Sequence, residues 1–168
     1  REERERAEFL NRFLEGLLVQ GNPLVAGTRI ALSDILARAD EALARGAVPD
    51  ERTSLRLYDL LAQSYRGLGL NAEAERALAE VEERLVRRDG AAAPSVLRVR
   101  VDRAWAMARA GRAAEALPLL EAADRRYREL GESGVDAHLA RGNLAAVLKD
   151  LGRVAEAERL YHEAIEGL

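Results

Sequence analysis

Few places in this 168-residue chain hold residue types at spacings that chemistry needs. Gly67-Leu-Gly69-Leu-Asn-Ala72 imitates a dinucleotide fingerprint, in which glycines let the backbone approach a pyrophosphate at the end of a β-strand. The residues upstream follow a helical period, so the segment reads as a turn between helices. His162-Glu163-Ala-Ile-Glu166 is half of a metalloprotease helix. A zinc site needs a second histidine one turn on, and glutamate stands there, while His138 is remote in sequence. An exposed helix is the expectation. Neighbouring carboxylates such as Glu82 and Glu83 lie in charge-rich stretches, with no apolar surroundings to raise a pKa, so they are expected on a solvated face. Cysteine is absent, which excludes disulfides, thiolate metal sites and a cysteine nucleophile. The sequence therefore predicts no catalytic residue, no cofactor, no metal and no enzymatic activity.

The charge balance narrows the partners. With 26 basic against 29 acidic residues the net charge is −3, which gives no general attraction to nucleic acid or an anionic membrane. No apolar run approaches the roughly 20 residues that span a bilayer, so no membrane insertion is expected. The opening stretch Arg1–Glu8 is nearly all charge, unlike a signal peptide, and a cytoplasmic location is the expectation. Opening on arginine, the chain reads as a piece of a longer protein.

What organises the chain is repetition. Gly69-Leu-Asn-Ala-Glu73-Ala74, Gly111-Arg-Ala-Ala-Glu115-Ala116 and Gly152-Arg-Val-Ala-Glu156-Ala157 share one pattern at intervals of 42 and 41 residues. Upstream of each glycine run apolar residues at helical spacing: Leu57, Leu61, Tyr65 and Leu68; Leu97, Val101, Ala104 and Met107; Leu144, Ala145, Leu148 and Leu151. Downstream run Ala74, Leu78, Val81 and Leu85; Ala116, Leu120, Ala123 and Tyr127; Ala157, Tyr161, Ala164 and Ile165. Each unit is helix, glycine turn, helix, the glycine supplying a left-handed conformation that other residues resist. A further hairpin precedes them, with Phe9, Leu10, Phe13, Leu14, Leu17 and Leu18 on one helix and Leu32, Ile35, Leu36, Ala39 and Leu43 on the next, joined through Gly21–Gly27.

Strand signals are nearly missing, and only 4% of residues are aromatic. The fold class is all-α, a right-handed α-solenoid of about four antiparallel helix pairs. It is read as one domain over 1–168, with a degenerate capping hairpin at 1–46 and units at 50–90, 95–131 and 134–168. Breaks fall at Gly46–Pro49, Gly90–Pro94 and Gly131–Gly134, with Ser133 and Asp136 at capping-box spacing. Pro118 predicts a kink.

These residues resemble a tetratricopeptide repeat. The pattern of a large-small pair, an aromatic, glycine, alanine, a large residue and alanine is met by Leu61-Ala62, Tyr65, Gly69, Ala74, Leu78 and Val81. It is met again, with Leu148 for the aromatic, by Leu144-Ala145, Gly152, Ala157, Tyr161 and Ala164. In the middle unit Arg103 stands where a large apolar residue belongs beside Ala104. The period near 42 and the segment Arg141–Gly152 resemble the long-helix variety of kinesin light chains. The leading hairpin is similar to a segment of multidomain bacterial Ser/Thr protein kinases, although no kinase catalytic motif is present.

The resemblance implies a noncatalytic module that binds a protein or peptide in a concave groove lined by the first helix of each pair. Carried over by position, the groove residues are Arg56, Asp59, Gln63 and Arg66, then Arg98, Asp102, Trp105 and Arg109, then Leu139, Asn143, Ala146 and Lys149. Asn143 matches the position that often bonds a peptide backbone. Five cations face two carboxylates, which suits an acidic or C-terminal carboxylate ligand. The competing reading is that these arginines pair with glutamates one helical turn away. Trp105 fits either the core or the groove, the core being favoured, and Tyr65 and Tyr161 fit packing slots. Self-association as a homo-oligomer, through Phe9, Phe13 and Leu17 or through the final helix with Tyr161 and Ile165, is the alternative function.

Overall fold

A computed structural model describes residues 32–48 and 50–166. The first helix of the leading hairpin, its connection and Pro49 lie outside the described residues. Contacts group the chain into two compact units, residues 1–54 and 55–168. Among the described residues there are seven helices and no strand: α1 Leu32–Ala44, α2 Glu51–Gly67, α3 Asn71–Asp89, α4 Pro94–Arg109, α5 Ala113–Glu129, α6 Val135–Asp150 and α7 Val154–Glu166.

In the first unit, Ala39 and Leu43 form the buried side of α1, and Gly46 ends it at φ 74°. Asp50, rather than a proline or serine, starts α2: its Oδ1 accepts the Thr53 backbone N–H at 3.2 Å.

In the second unit consecutive helices pack, α3 on α4, α4 on α5, α5 on α6 and α6 on α7, and α4 also touches α6. Contacts reaching only one or two helices along the chain define an all-α solenoid. The stripes expected on α3, α4 and α5 are buried throughout, with Leu120 and Ala104 at 0% exposure. Burying a leucine of this kind stabilises by about 1.5–3 kcal/mol. The three repeat turns are built alike. In the second, the N–H of Gly111 bonds the Ala108 carbonyl at 3.0 Å and the N–H of Arg112 reaches back to Met107 at 3.1 Å, with Gly111 at φ 88°. This pair of bonds satisfies the last carbonyls of α4, and a Cβ would strain that φ.

Several details differ from the sequence expectation. On α2 the buried stripe is Leu55, Tyr58, Leu61, Ala62 and Tyr65, whereas Leu57 is half-buried and Leu68 is exposed. Tyr58 lies under the Arg84 guanidinium, 5.1 Å from the ring centre. Leu151 is exposed because it falls just past the end of α6. Tyr161 is exposed rather than packed, and Leu160 takes the buried place on α7. Ser133 does not cap α6: Gly134 holds the N-cap position without a side-chain bond, and the Ser133 carbonyl meets His138 Nε2 at 2.8 Å. Pro118 lies inside α5, as its position in the sequence leads one to expect, and the helix continues past it. As the sixth residue of the helix, it removes the i→i−4 bond to the Ala114 carbonyl without ending the helix.

Within the second unit, charged side chains bridge successive helix pairs. Glu82 is not solvated; only 17% exposed, it accepts Arg100 Nε at 2.7 Å and Arg103 Nη1 at 3.0 Å. Arg103 also gives Nε to Glu75 at 3.1 Å, so the arginine that broke the repeat pattern serves as a polar bridge from α4 to α3. At the next joint Asp124 accepts Arg141 Nε at 3.2 Å and Arg128 Nε at 2.8 Å. Asp89, bonded by Arg88 and by the Ser95 hydroxyl, is pulled down to about 2, which ties the end of α3 to the start of α4.

Candidate functional site

Helical spacing decides which side chains of α2 and α4 share a face. Gln63 and Arg66 are three residues apart and Trp105 and Arg109 four, so each pair projects together. The structure brings all four around one cavity of about 700 Å3, together with Gly69 and Asn71 of the intervening turn. The Arg109 guanidinium lies 5.7 Å above the Trp105 ring, a cation–π contact that orders it without neutralising it. Trp105 is half-buried: it packs against the core and also lines the cavity, so it fills both roles offered by the sequence. Asn71 Nδ2 donates to the Gly69 carbonyl at 3.1 Å and reaches the Arg109 carbonyl at 3.5 Å, joining the two turns.

Behind the cavity, Gln63 Nε2 donates to Asp59 Oδ2 at 3.0 Å, and Arg66 Nη1 lies 3.5 Å from Asp102 Oδ1, linking α2 to α4. Burial pushes the Asp102 carboxyl above its ordinary range; Arg66 and Arg98 draw it back, while Asp59 and Asp136 push it further up. Charges from α2, α4 and α6 thus act in one field. Tyr127 nearby is pushed up to about 12 by burial and by Asp136 and Glu132, so it stays neutral at any working pH.

Some arginines of the second helices do pair one turn away, as in Arg87–Glu83 at 2.7 Å and Arg126–Glu129 at 3.1 Å, whereas Arg76 and Arg125 make no ion pair within 4.0 Å among the described residues. Among the described residues, Arg56, Arg98 and Lys149 make no ion pair within 4.0 Å, and Arg109 has only the Trp105 ring. Leu139 is 56% exposed and Asn143 and Ala146 are half-buried on α6; with Arg56 and Lys149 they lie outside this cavity. Asn71 and Asp136 were not anticipated. The signal for Asn71 was a polar residue two places after the turn glycine, where the other units carry Ala113 and Val154.

Asp102→Asn tests this electrostatic arrangement. A carboxyl raised on folding binds its proton more readily in the native state, so its ionisation costs stability as pH rises from the unfolded value through the folded one. The variant is expected to be more stable than the wild type at pH 7, with the gap closing by pH 3. Urea titrations at both pH values measure it, and equal stability at pH 7 contradicts the burial argument.

Residues 139–167 match the family model described as "Tetratricopeptide repeat". No curated protein matches. Among solved structures the chain is similar to the crystal structure of BtubC (BKLC) from P. vanneervenii, with a TM-score of 0.63 and 23% identity. That similarity covers 83% of this chain and 57% of that one, so the chain spans little more than half the length of the protein it matches. The last helix pair thus matches a tetratricopeptide repeat, and the fold is an all-α solenoid. Tetratricopeptide repeats in general mediate contacts between proteins. No helix among the described residues is long and apolar enough to cross a membrane.

Proposed function

We propose that the face formed by α2, α4 and α6 binds an acidic segment of a partner protein, with Arg66, Trp105 and Arg109 forming its central pocket. One observation carries this reading: among the five candidate cations of this face only Arg66 holds a carboxylate, Asp102 at 3.5 Å, while Arg56, Arg98, Arg109 and Lys149 make no ion pair within 4.0 Å among the described residues. A guanidinium with free donors takes a carboxylate in a forked, charge-assisted geometry. Trp105 supplies an apolar surface in a preformed, largely polar cavity, so little ordering opposes binding. Arg56, Arg98 and Lys149 extend the positive track, and Leu139 and Asn143 offer an apolar and an amide contact beyond it. The units 50–90, 95–131 and 134–168 act as tetratricopeptide units of the long, kinesin-light-chain-like period. The module serves as a regulatory or scaffolding part of a larger bacterial signalling protein, such as a Ser/Thr kinase, a context supported by the resemblance of the leading hairpin.

Fluorescence anisotropy with a labelled Glu/Asp-rich peptide, its C-terminal amide and a Gln/Asn counterpart tests the reading. Saturable binding of the acidic peptide, weakening with added salt, is expected. Equal binding of the neutral counterpart overturns it, and a loss on amidation alone assigns the pocket to the terminal carboxylate.

A further inference from the structure

The helix α4 has a second working face. At 100° per residue, Arg100 and Arg103 point away from Trp105 and Arg109, with Leu97 on the core side between the two faces. They floor a separate cavity of about 450 Å3 between α3 and α5, walled by Leu119, Ala122 and Ala123 of α5. Leu119 is 44% exposed there. Three guanidiniums, Arg100, Arg103 and Arg126, and a single carboxylate, Glu82, line the opening.

The next joint shows what this one lacks. Aligned on Gly111 and Gly152, Leu119 corresponds to Leu160, Ala122 to Glu163 and Arg100 to Arg141. At that joint Leu160 is buried, and Glu163 closes the gap by accepting Arg128 Nη2 at 2.6 Å. The Arg141 side chain is 11% exposed, against 39% for Arg100. At the first joint alanine replaces the closing carboxylate, and an apolar floor is left open beneath arginines.

Those arginines retain capacity. Arg100 uses Nε for Glu82 and Nη1 for the Ala91 carbonyl. Arg103 uses Nε and Nη1 for Glu75 and Glu82, and Arg126 uses Nη1 for Glu129. Among the described residues, Nη2 of all three and Nε of Arg126 have no acceptor. An apolar floor with a few convergent donors, within the range of about 300–1,000 Å3, is the form of a small-molecule site.

We propose that this cavity binds an alkyl carboxylate with the chemistry of a medium-chain fatty acid anion. The hydrocarbon lies against Leu97, Leu119, Ala122 and Ala123, and the carboxylate takes the place at Arg100 and Arg126 that no protein group fills. The proposal is independent of the peptide reading, since the two cavities share no residue.

Isothermal titration of the whole chain with decanoate tests it, with decanol as the uncharged control. Decanoate is expected to bind one to one and more tightly than decanol, leaving Trp105 emission unchanged. Ala122→Glu, which installs the carboxylate found at the sister joint, is expected to weaken binding by about tenfold or more, the scale of one charged hydrogen bond. The near-isosteric, neutral Ala122→Gln is expected to weaken it less. Both changes are on an exposed helical position, so the fold is retained, which circular dichroism checks. Absence of saturable binding, decanol binding as tightly, equal effects of the two variants, or a Trp105 response each overturns the proposal.

Discussion

Reversing Arg98 and Arg109 to glutamate is expected to weaken binding of an acidic peptide by about a hundredfold or more. Each lost hydrogen bond to a charged acceptor is worth about 1.5–3 kcal/mol, and two of them multiply to that factor before repulsion is added. Like charges facing one another across an interface lower affinity further. Both side chains are exposed and neither holds an ion pair with the body of the protein. The fold should therefore lose no more than about 0.5 kcal/mol, as is usual for surface changes. Anisotropy titration reads the binding loss and urea denaturation the stability. Retained affinity in the double variant would place recognition elsewhere.

The largest change in stability is expected from Asp124→Ala. Asp124 and Arg141 are about nine-tenths buried where α5 meets α6, and Arg128 bonds the same carboxylate. Removing the carboxylate leaves the buried Arg141 guanidinium without its bonded partner, Glu163 acting on it only at longer range, and costs about 3–5 kcal/mol. Arg128 keeps Glu163, so the loss belongs to Arg141. Replacing both partners, as in Asp124→Leu with Arg141→Met, is expected to be near neutral, since no buried charge is then orphaned. Urea titration should show a lowered midpoint at unchanged slope for the single variant. A loss below about 1 kcal/mol would mean that water reaches the joint and the bridge does not hold it.

Periodicity made the helices legible because burial imposes it. Ala74, Leu78, Val81 and Leu85 could be read from spacing alone, and the glycines at 69, 111 and 152 marked the turns because their φ admits little else. The bridges could not be read the same way. Glu82 meets arginines 18 and 21 residues away, and Asp124 meets one 17 away, through packing that no local pattern encodes. Hence Glu82 looked solvated and Arg103 looked misplaced. Ser133 had the right spacing for a cap, but the chain turns one residue later and its carbonyl serves His138 instead. For the candidate site, position in the repeat selected Gln63, Arg66, Trp105 and Arg109, which the fold gathers around one cavity. Which cations remain without carboxylates was not legible, because that depends on neighbouring helices. It is the property on which the proposed function rests.

Trp105 is the chain's single tryptophan, and it stands in the pocket wall beneath Arg109. Its emission during titration with the acidic peptide therefore reports on the central pocket. A saturable change with the same midpoint as anisotropy, abolished in the Arg98→Glu/Arg109→Glu variant, is the predicted result. Binding seen by anisotropy while Trp105 emission stays constant would contradict the account.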